Sequence, residues 1–195
     1  FERASVMDER RLLESAYRHS IGHRSVSLAD ITHRFEEDER LIHVTENGRT
    51  LSTTRQVLAE EQRMVNLAKA GQGKLKPLYT QAPKLELDGQ QADAVRHVLT
   101  TTNRVSIIRG AAGSGKTTLM REAVKHIEQA GKKVIVVAPT SQASRGVLKS
   151  EGFDSAETVA RLLVDDKMKQ ELSGQVLWVD EAGLLGTKDM TALLD

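Results

Sequence analysis

Eight residues near the middle of the chain, residues 110–117, have the order Gly-x-x-x-x-Gly-Lys-Thr of a phosphate-binding loop. Glycines let the backbone turn tightly enough to direct its N–H groups at phosphate oxygens, and a following helix N-terminus favours negative charge. In this chemistry Lys116 reaches the β- and γ-phosphates, and the Thr117 hydroxyl is a ligand of Mg²⁺. The predicted nucleotide-binding residues of the loop are Gly110, Ala111, Ala112, Gly113, Ser114, Gly115, Lys116, Thr117 and Thr118.

Two carboxylates farther along the chain have the position of a second catalytic element. Asp180 and Glu181 follow four apolar residues, 176–179, that predict a strand. An Asp at the end of a strand beside a phosphate loop is placed to hold Mg²⁺. The next residue is placed to accept a proton from an attacking water as general base. We therefore expect Lys116 and Glu181 to be catalytic, and Thr117 and Asp180 to be the metal ligands.

The residues around these motifs predict an α/β fold. A β-prone run at 104–109 leads into the loop, and apolar residues recur at helical spacing from Leu119 to Ile127 behind it. Residues 133–137 and 176–181 are further predicted strands, and a short helix is expected from about residue 142 to Lys149. Strands that alternate with helices imply a parallel sheet with helices on both faces.

The N-terminal part of the chain predicts a smaller module. Ser5 with Asp8 and Ser27 with Asp30 resemble capping boxes of two helices, and Asn47-Gly48 suits a hairpin turn. A third helix follows, and the whole suggests a small α+β, winged-helix-like module. A stretch interrupted by Gly and Pro, residues 71–83, is the best boundary candidate. We therefore expect one domain and linker at 1–84 and a phosphate-loop domain at 85–195.

Composition narrows the remaining choices. The net charge of +1 means that any nucleic-acid binding must come from local patches. The absence of Cys excludes disulfides and Cys-ligated zinc, and it fits a reducing compartment. No apolar run is long enough to span a membrane, so a cytoplasmic location is expected. Because the chain starts without Met and stops inside a helical pattern, we expect it to be a piece of a longer protein.

Taken together, the motifs resemble those of a known family. Gln91, the phosphate loop, Ala138-Pro139-Thr140 and Asp180-Glu181-Ala182-Gly183 are similar to the first half of superfamily-one DNA helicases of the RecD-like branch. Two further stretches resemble, more narrowly, the helicase part of MobF-type conjugative relaxases of the TraI/TrwC kind. They are residues 180–185 followed by Asp189-Met190, and residues 53–58 leading to Glu60-Glu61.

The resemblance implies a function and further site residues. It implies a bacterial ATP-dependent DNA helicase that moves 5′-to-3′ on single-stranded DNA during plasmid transfer, with ATP and Mg²⁺ as cofactors. Gln91 would contact adenine, while Thr140 and Ser141 match positions that touch the single strand; neighbouring Arg145 is expected to join them.

The resemblance also implies partners in the same polypeptide. In such proteins the phosphate-loop domain is the first of two RecA-like domains, and here it stops after its acidic (Walker B) strand. A second RecA-like domain would follow it, and a relaxase domain is a candidate on the N-terminal side. Because such a second domain supplies the arginine fingers, we expect these 195 residues alone to hydrolyse ATP barely above background. The alternative is a helicase-like module that binds single-stranded DNA with little ATPase activity. A phosphate-loop ATPase that is not a helicase is a weaker third reading.

Overall fold

The computed structural model describes residues 5–22, 26–111 and 113–195. The chain divides into two compact units. The first runs to Val65 and takes in Gly186–Thr191, and the second comprises Asn66–Leu185 and Ala192–Asp195. Residues 66–84 thus pack with the second unit, while the domain boundary after residue 84 stays a prediction. No helix among the described residues is both long enough and apolar enough to span a bilayer.

The first unit combines a small antiparallel sheet with helices. Strand β3 (Arg49–Thr54) lies between β1 (Met7–Asp8) and β2 (Leu41–Glu46). Asn47 and Gly48 have φ angles of 52° and 73°, which is the left-handed backbone that the hairpin turn between β2 and β3 requires. The elements are β1 (Met7–Asp8), α1 (Glu9–Ser20), α2 (Leu28–Glu36), β2 (Leu41–Glu46), β3 (Arg49–Thr54) and α3 (Arg55–Ala70), of which α3 continues into the second unit.

The predicted helix starts of the first unit have mixed outcomes. The capping box of Ser27 and Asp30 is present at the start of α2. At α1 the prediction is wrong, because Asp8 is the N-cap and Ser5 lies before a strand. The reason is that Met7 and Asp8 pair with β3, which leaves the helix to begin at Glu9.

The second unit is built on a three-stranded parallel sheet, in which β4 (Val134–Ala138) lies between β5 (Glu157–Thr158) and β6 (Val176–Val179). Strands β4 and β6 pair from Val134 with Val176 to Val137 with Val179, so the predicted parallel pairing is confirmed. The elements are α4 (Gly89–Thr100), α5 (Lys116–Gln129), β4 (Val134–Ala138), a π-helix (Gln142–Leu148), β5 (Glu157–Thr158), α6 (Val159–Val164), α7 (Asp166–Leu172), β6 (Val176–Val179), a 3₁₀ turn (Ala182–Leu184) and α8 (Thr187–Leu194).

Side chains of the strands point alternately to the two faces of the sheet, and each face packs against helices. Val134 and Trp178 pack on a cluster with α4 and α5, whereas Val137 and Leu177 pack on a cluster with α6 and α7. Successive residues of a strand point to opposite faces, so an unbroken apolar run such as Val134–Ala138 belongs to a strand buried on both sides. Helices therefore cover both faces, as the sequence predicts.

Two predicted elements of the second unit differ in the structure. The strand expected at 104–109 is wrong, since these residues lie in irregular backbone. A strand needs a pairing partner, but the Arg104 N–H donates to Gly71 O at 2.9 Å, and Ile107 is 80% exposed. The short helix predicted from residue 142 is present as a π-helix, whose wider turn is rare and often lies at functional sites.

Candidate nucleotide-binding site

The phosphate loop is a tight turn that depends on its glycines. Gly113 and Gly115 have φ angles of 73° and 76°, a left-handed backbone that side chains disfavour. A Cβ at Gly110 would lie 2.6 Å from Ser114 Oγ, and a Cβ at Gly115 would collide with Nε2 of Gln91. The loop has no room for larger residues at these positions, which is the geometry in which backbone approaches a phosphate closely. Ala112 lies outside the described residues.

Lys116 is the first residue of α5, and its amine lies over the loop. Nζ donates hydrogen bonds to Gly110 O at 3.0 Å and to Ala111 O at 2.8 Å. These carbonyl oxygens are acceptors of the kind that a phosphate group also offers. The side chain is therefore already directed at the turn that the Gly-Lys-Thr motif predicts, and it has bonds that it can exchange for bonds to phosphate oxygens.

Helix α5 supplies a free N-terminus behind the loop. Its N-cap is Gly115, which makes no side-chain cap hydrogen bond, and the first helical bond runs from Leu119 N–H to Gly115 O at 3.1 Å. The first N–H groups of a helix have no partner within the helix, and its dipole favours an anion there. Thr117 is half-buried and Thr118 is exposed in this first turn. The elements of a phosphate site are thus present.

The two carboxylates lie at the end of β6. The Asp180 N–H donates to Val137 O at 2.9 Å and so continues the ladder with β4. Glu181 has φ 50° and ψ 35°, a left-handed conformation that costs a non-glycine residue roughly 1–2 kcal/mol. Such strain is common at functional sites. It ends the strand abruptly and leaves the Glu181 side chain exposed.

Sheet topology relates the loop to these carboxylates. Helix α5 is followed directly by β4, so the helix runs back along the sheet and begins near the edge at which β4 ends. Met120, one turn into α5, shares a core cluster with Ala138, the last residue of β4. Because β6 is parallel to β4, Asp180 lies at that same edge. The structure therefore brings the two predicted halves of the site to one edge of the sheet.

The donor set at this edge fits Mg²⁺ bound together with a nucleotide. Among the described residues, no group of three or more His, Cys, Asp and Glu side chains is arranged to hold a metal ion. Mg²⁺ in phosphate sites commonly takes one or two protein oxygens and completes its shell with water and phosphate oxygens. The Thr117 hydroxyl and the Asp180 carboxylate are ligands of this kind, and their roles stay predictions.

Gln91 contacts the loop directly. It is the third residue of α4, and its Nε2 donates to Ser114 O at 3.0 Å and to Gly115 O at 3.3 Å. The structure thus brings the residue predicted to contact adenine against the turn predicted to bind phosphates. The contact with the base stays a prediction.

The residues predicted to contact DNA follow β4. Thr140 and Ser141 are exposed. The Thr140 hydroxyl accepts a hydrogen bond from Ala143 N–H at 3.1 Å, which caps the turn that enters the π-helix. Arg145 is in the π-helix, and its side chain is outside the described part of the structure. The structure thus places all three in one segment, while their contact with DNA stays a prediction.

A buried acidic residue of the second unit is not among the site residues that the sequence predicts. Glu122 on α5 is 8% exposed, and its carboxylate accepts hydrogen bonds from the backbone N–H groups of Glu86 and Leu87. His126, one turn later, is 6% exposed. The signal was an acid and a histidine four residues apart, directly beside the apolar stripe of α5. That pattern is equally typical of an exposed ion pair, so the sequence did not distinguish it.

The similarities of the chain to known proteins agree with this site. A family model described as the AAA domain matches residues 86–195. The multifunctional conjugation protein TraI of Escherichia coli K12 is 33% identical over 112 residues, which cover 52% of this chain and 6% of TraI. The probable conjugal transfer protein TraA of Sinorhizobium fredii is 30% identical over 110 residues, covering 56% of this chain and 10% of TraA. Another E. coli TraI is 28% identical over 149 residues, which cover 71% of this chain and 8% of that TraI.

The chain spans a tenth or less of the length of these relatives. Because these relatives are TraI and TraA conjugation proteins, the predicted resemblance to the helicase portion of TraI/TrwC-like conjugation proteins is confirmed. The AAA domain match begins just before α4 and includes Gln91, the phosphate loop, and both carboxylates. Since the matched region is more than half of the 195 residues, the chain belongs to the AAA domain family.

Proposed function

We propose that this chain is the nucleotide-binding part of an ATP-dependent DNA helicase that serves conjugative plasmid transfer. One observation carries the proposal: a phosphate loop begins α5, and Asp180 and Glu181 end the neighbouring strand at the same edge of the sheet. The similarity to TraI and TraA conjugation proteins supports the biological setting. The RecA-like form of the domain, the unwinding activity and its 5′-to-3′ direction belong to the proposal and rest on the resemblance to RecD-like helicases.

In the proposed reaction the residues of the site have separate roles. Lys116 exchanges its bonds to Gly110 and Ala111 for bonds to phosphate oxygens, and the loop N–H groups bind the remaining oxygens. Thr117 and Asp180 would hold Mg²⁺, which would neutralise charge on the phosphates. A water attacks the γ-phosphorus, its proton passes to the Glu181 carboxylate, and the bond to ADP breaks. Gln91, which lies beside the loop, contacts the adenine base.

Single-stranded DNA is the proposed polymeric substrate. Thr140, Ser141 and Arg145 contact its backbone, and the exposure of the two hydroxyl residues supports this role. Aromatic residues make up 3% of the sequence, so platforms on which bases stack are scarce. Binding therefore depends on phosphate contacts, which makes it weak and strongly dependent on salt.

The remaining parts of the proposal concern the rest of the protein. The first unit is proposed to be a winged-helix-like module, supported by its three-stranded antiparallel sheet and its helices. A second RecA-like domain and a relaxase domain are the proposed neighbours in the same polypeptide. The greater length of the TraI and TraA relatives supports this. The proposed location is the bacterial cytoplasm.

The proposal is tested by separating nucleotide binding from hydrolysis. Lys116→Ala should weaken the binding of Mg²⁺–ATP. Glu181→Gln should bind it and, in a longer form that includes the proposed second RecA-like domain, hydrolyse it slowly in a single turnover, because an amide cannot accept the proton of the water. Lys125→Ala, which removes an exposed lysine of the same helix α5 away from the loop, is the control. Unchanged ATP binding by a folded Lys116→Ala protein would contradict the proposed site.

A module that binds single-stranded DNA with little ATPase activity is the second candidate. One observation favours it: residues 104–109 are not part of the sheet, so no strand anchors the phosphate loop from its N-terminal side. A loop without this support positions phosphates less accurately, and positioning provides most of the catalysis of phosphoryl transfer. Binding of single-stranded DNA that is unaffected by Lys116→Ala favours this candidate, if a longer form with the proposed second RecA-like domain also hydrolyses ATP no faster than its Glu181→Gln variant.

A further inference from the structure

Glu122 is a buried carboxylate that the proposed reaction does not use. Its Oε1 accepts a hydrogen bond from the Glu86 N–H, and its Oε2 accepts one from the Leu87 N–H at 3.0 Å. His126 Nε2 lies 3.8 Å from Oε1. Burial of a carboxylate is costly unless hydrogen bonds or a charge compensate it. Here both carboxylate oxygens have backbone N–H donors, so the hydrogen bonds offset the cost of burying the carboxylate and also satisfy two backbone amides.

The two bonded amides lie directly before the helix that carries Gln91. Helix α4 begins at Gly89, and its N-cap, Asp88, makes no side-chain cap hydrogen bond. The bonds that Glu122 accepts are therefore the buried polar contacts that hold this helix entrance against α5, beside the exposed ion pair of Glu86 with Lys125. Gln91 makes the reverse contact, since its side chain donates to the backbone of the loop that enters α5. Each helix thus uses one side chain to hold the backbone that leads into the other.

Apolar packing alone does not define this arrangement as closely. Val95 and Leu99 of α4 pack in one cluster with Leu119 and Ala123 of α5, which sets the distance between the helices. The hydrophobic effect is not directional, so it leaves small shifts along and around the helix axis inexpensive. Hydrogen bonds have narrow distance and angle ranges, and they therefore select one axial position.

We propose that Glu122 is a positioning residue that places Gln91 at the phosphate loop and thereby sets the preference of the site for an adenine base. The base preference rests on the proposed nucleotide-binding function, whereas the positioning of Gln91 is a property of the protein without nucleotide. Glu122 acts through α4 and touches neither the phosphates nor the base.

The test is the Glu122→Gln variant of the 195-residue chain. Glutamine keeps the size of the side chain, but its NH₂ group cannot accept a hydrogen bond from the second backbone amide. Two measurements follow Gln91: the NMR signals of its side-chain amide without nucleotide, and the ratio of the affinities for ADP and GDP. Inorganic pyrophosphate, which has no base, reports the phosphate loop alone.

The proposal expects the Gln91 amide signals to shift and the preference for ADP over GDP to fall about tenfold, the equivalent of one lost hydrogen bond. Pyrophosphate affinity should not change. Glu86→Gln is the matched control, because it removes the exposed ion pair with Lys125 at 2.6 Å and keeps the N–H that Glu122 binds. It should leave both measurements as in the wild type. If Glu122→Gln does not fold, Glu122→Asp keeps the charge and shortens the reach.

The outcomes separate this inference from the function on which it rests. Unchanged Gln91 signals in a folded Glu122 variant overturn the positioning role. A preference for ADP that survives in Glu122→Gln or in Gln91→Ala overturns the role in base selection. If the wild type binds neither ADP nor pyrophosphate, the proposed nucleotide site and base selection both fail, and the Gln91 amide signals still decide whether Glu122 positions that side chain.

Discussion

The two units of the chain show the same sequence patterns and reach different degrees of burial. In the first unit, α1 and α2 have apolar stripes at helical spacing, yet neither contains a buried residue. In the second unit, α4 buries Ala92, Val95 and Leu99. The difference is that α4 and α5 pack on each other and on a parallel sheet. A stripe predicts that a helix forms, but burial also requires a second apolar layer to receive it.

The same contrast separates chemistry from scaffold. The polar residues predicted to be functional lie in the second unit, at helix and strand ends that its buried core positions. In the first unit, large apolar side chains such as Ile21 and Leu28 are 80% and 62% exposed. The predicted catalytic residues thus belong to the unit with the buried core, and four expected effects follow from this difference, from the largest to the smallest.

The largest effect is expected for the chemistry of the second unit. In a longer form of the protein that includes the proposed second RecA-like domain, Lys116→Ala should reduce ATP hydrolysis roughly 100- to 1,000-fold, because it removes the cation aimed at the charge that develops on the γ-phosphate. Single-turnover hydrolysis measures this loss. A matched change in the first unit, Arg49→Ala in the exposed hairpin, should leave the rate unchanged. Equal losses in both variants would contradict the division of roles between the units.

The second effect concerns the cores. Leu99→Ala removes a fully buried side chain and should lower the free energy of unfolding by about 2–5 kcal/mol. Urea unfolding followed by the fluorescence of Trp178, the only tryptophan of the sequence, reports the second unit. Leu28→Ala in the first unit should change this transition by less than about 0.5 kcal/mol. A large effect of Leu28→Ala would show that the first unit stabilises the second.

The third effect is a trade of activity for stability at Glu181. Glu181→Gly should raise the free energy of unfolding by about 1 kcal/mol, because glycine adopts the left-handed backbone with φ 50° without strain. It should also abolish hydrolysis, since the general base is lost. Asn47→Gly relieves a similar φ of 52° in the first unit and is the control. It should leave the Trp178 transition and ATP hydrolysis unchanged; destabilisation by Glu181→Gly would contradict the strain.

The smallest effect is electrostatic and belongs to the first unit. Hydrogen bonds from Ser27 hold the pKa of Asp30 below its ordinary value. A pKa below the unfolded value means that the contribution to stability is present above that value and is lost as the pH falls through the folded pKa. Ser27→Ala should therefore raise the pKa of Asp30 towards its ordinary value, as NMR titration of the carboxyl group measures.

Asp38 provides the control for this titration in the same unit. Its pKa is lowered to about 2 by hydrogen bonds from Arg40, so Ser27→Ala should not change it. An unchanged pKa of Asp30 in Ser27→Ala, with Asp38 also unchanged, would show that the capping box does not cause the shift. Parallel shifts of both groups would indicate a general change in the fold of the unit.

The sequence by itself determined the parts of this protein that depend on local chemistry. Three features depend only on residues that are close together in the chain: the glycine spacing of the phosphate loop, the helix after it, and the apolar run before Asp180. All three are present in the structure. The capping box at Ser27 and the turn at Asn47-Gly48 are local in the same sense.

Only the tertiary structure decided what depends on a distant partner. Residues 104–109 have the composition of a strand, but pairing is a property of two segments, and here Arg104 bonds to Gly71 instead of joining the sheet. From the sequence alone, Glu122 is interpreted as an exposed acid on a helix. Only the fold brings the backbone amides of residues 86 and 87 within hydrogen-bonding distance of it. Both cases have one physical reason: a hydrogen bond between residues far apart in the chain leaves no periodic trace in either segment, so the sequence shows the donor or the acceptor and the fold alone joins them.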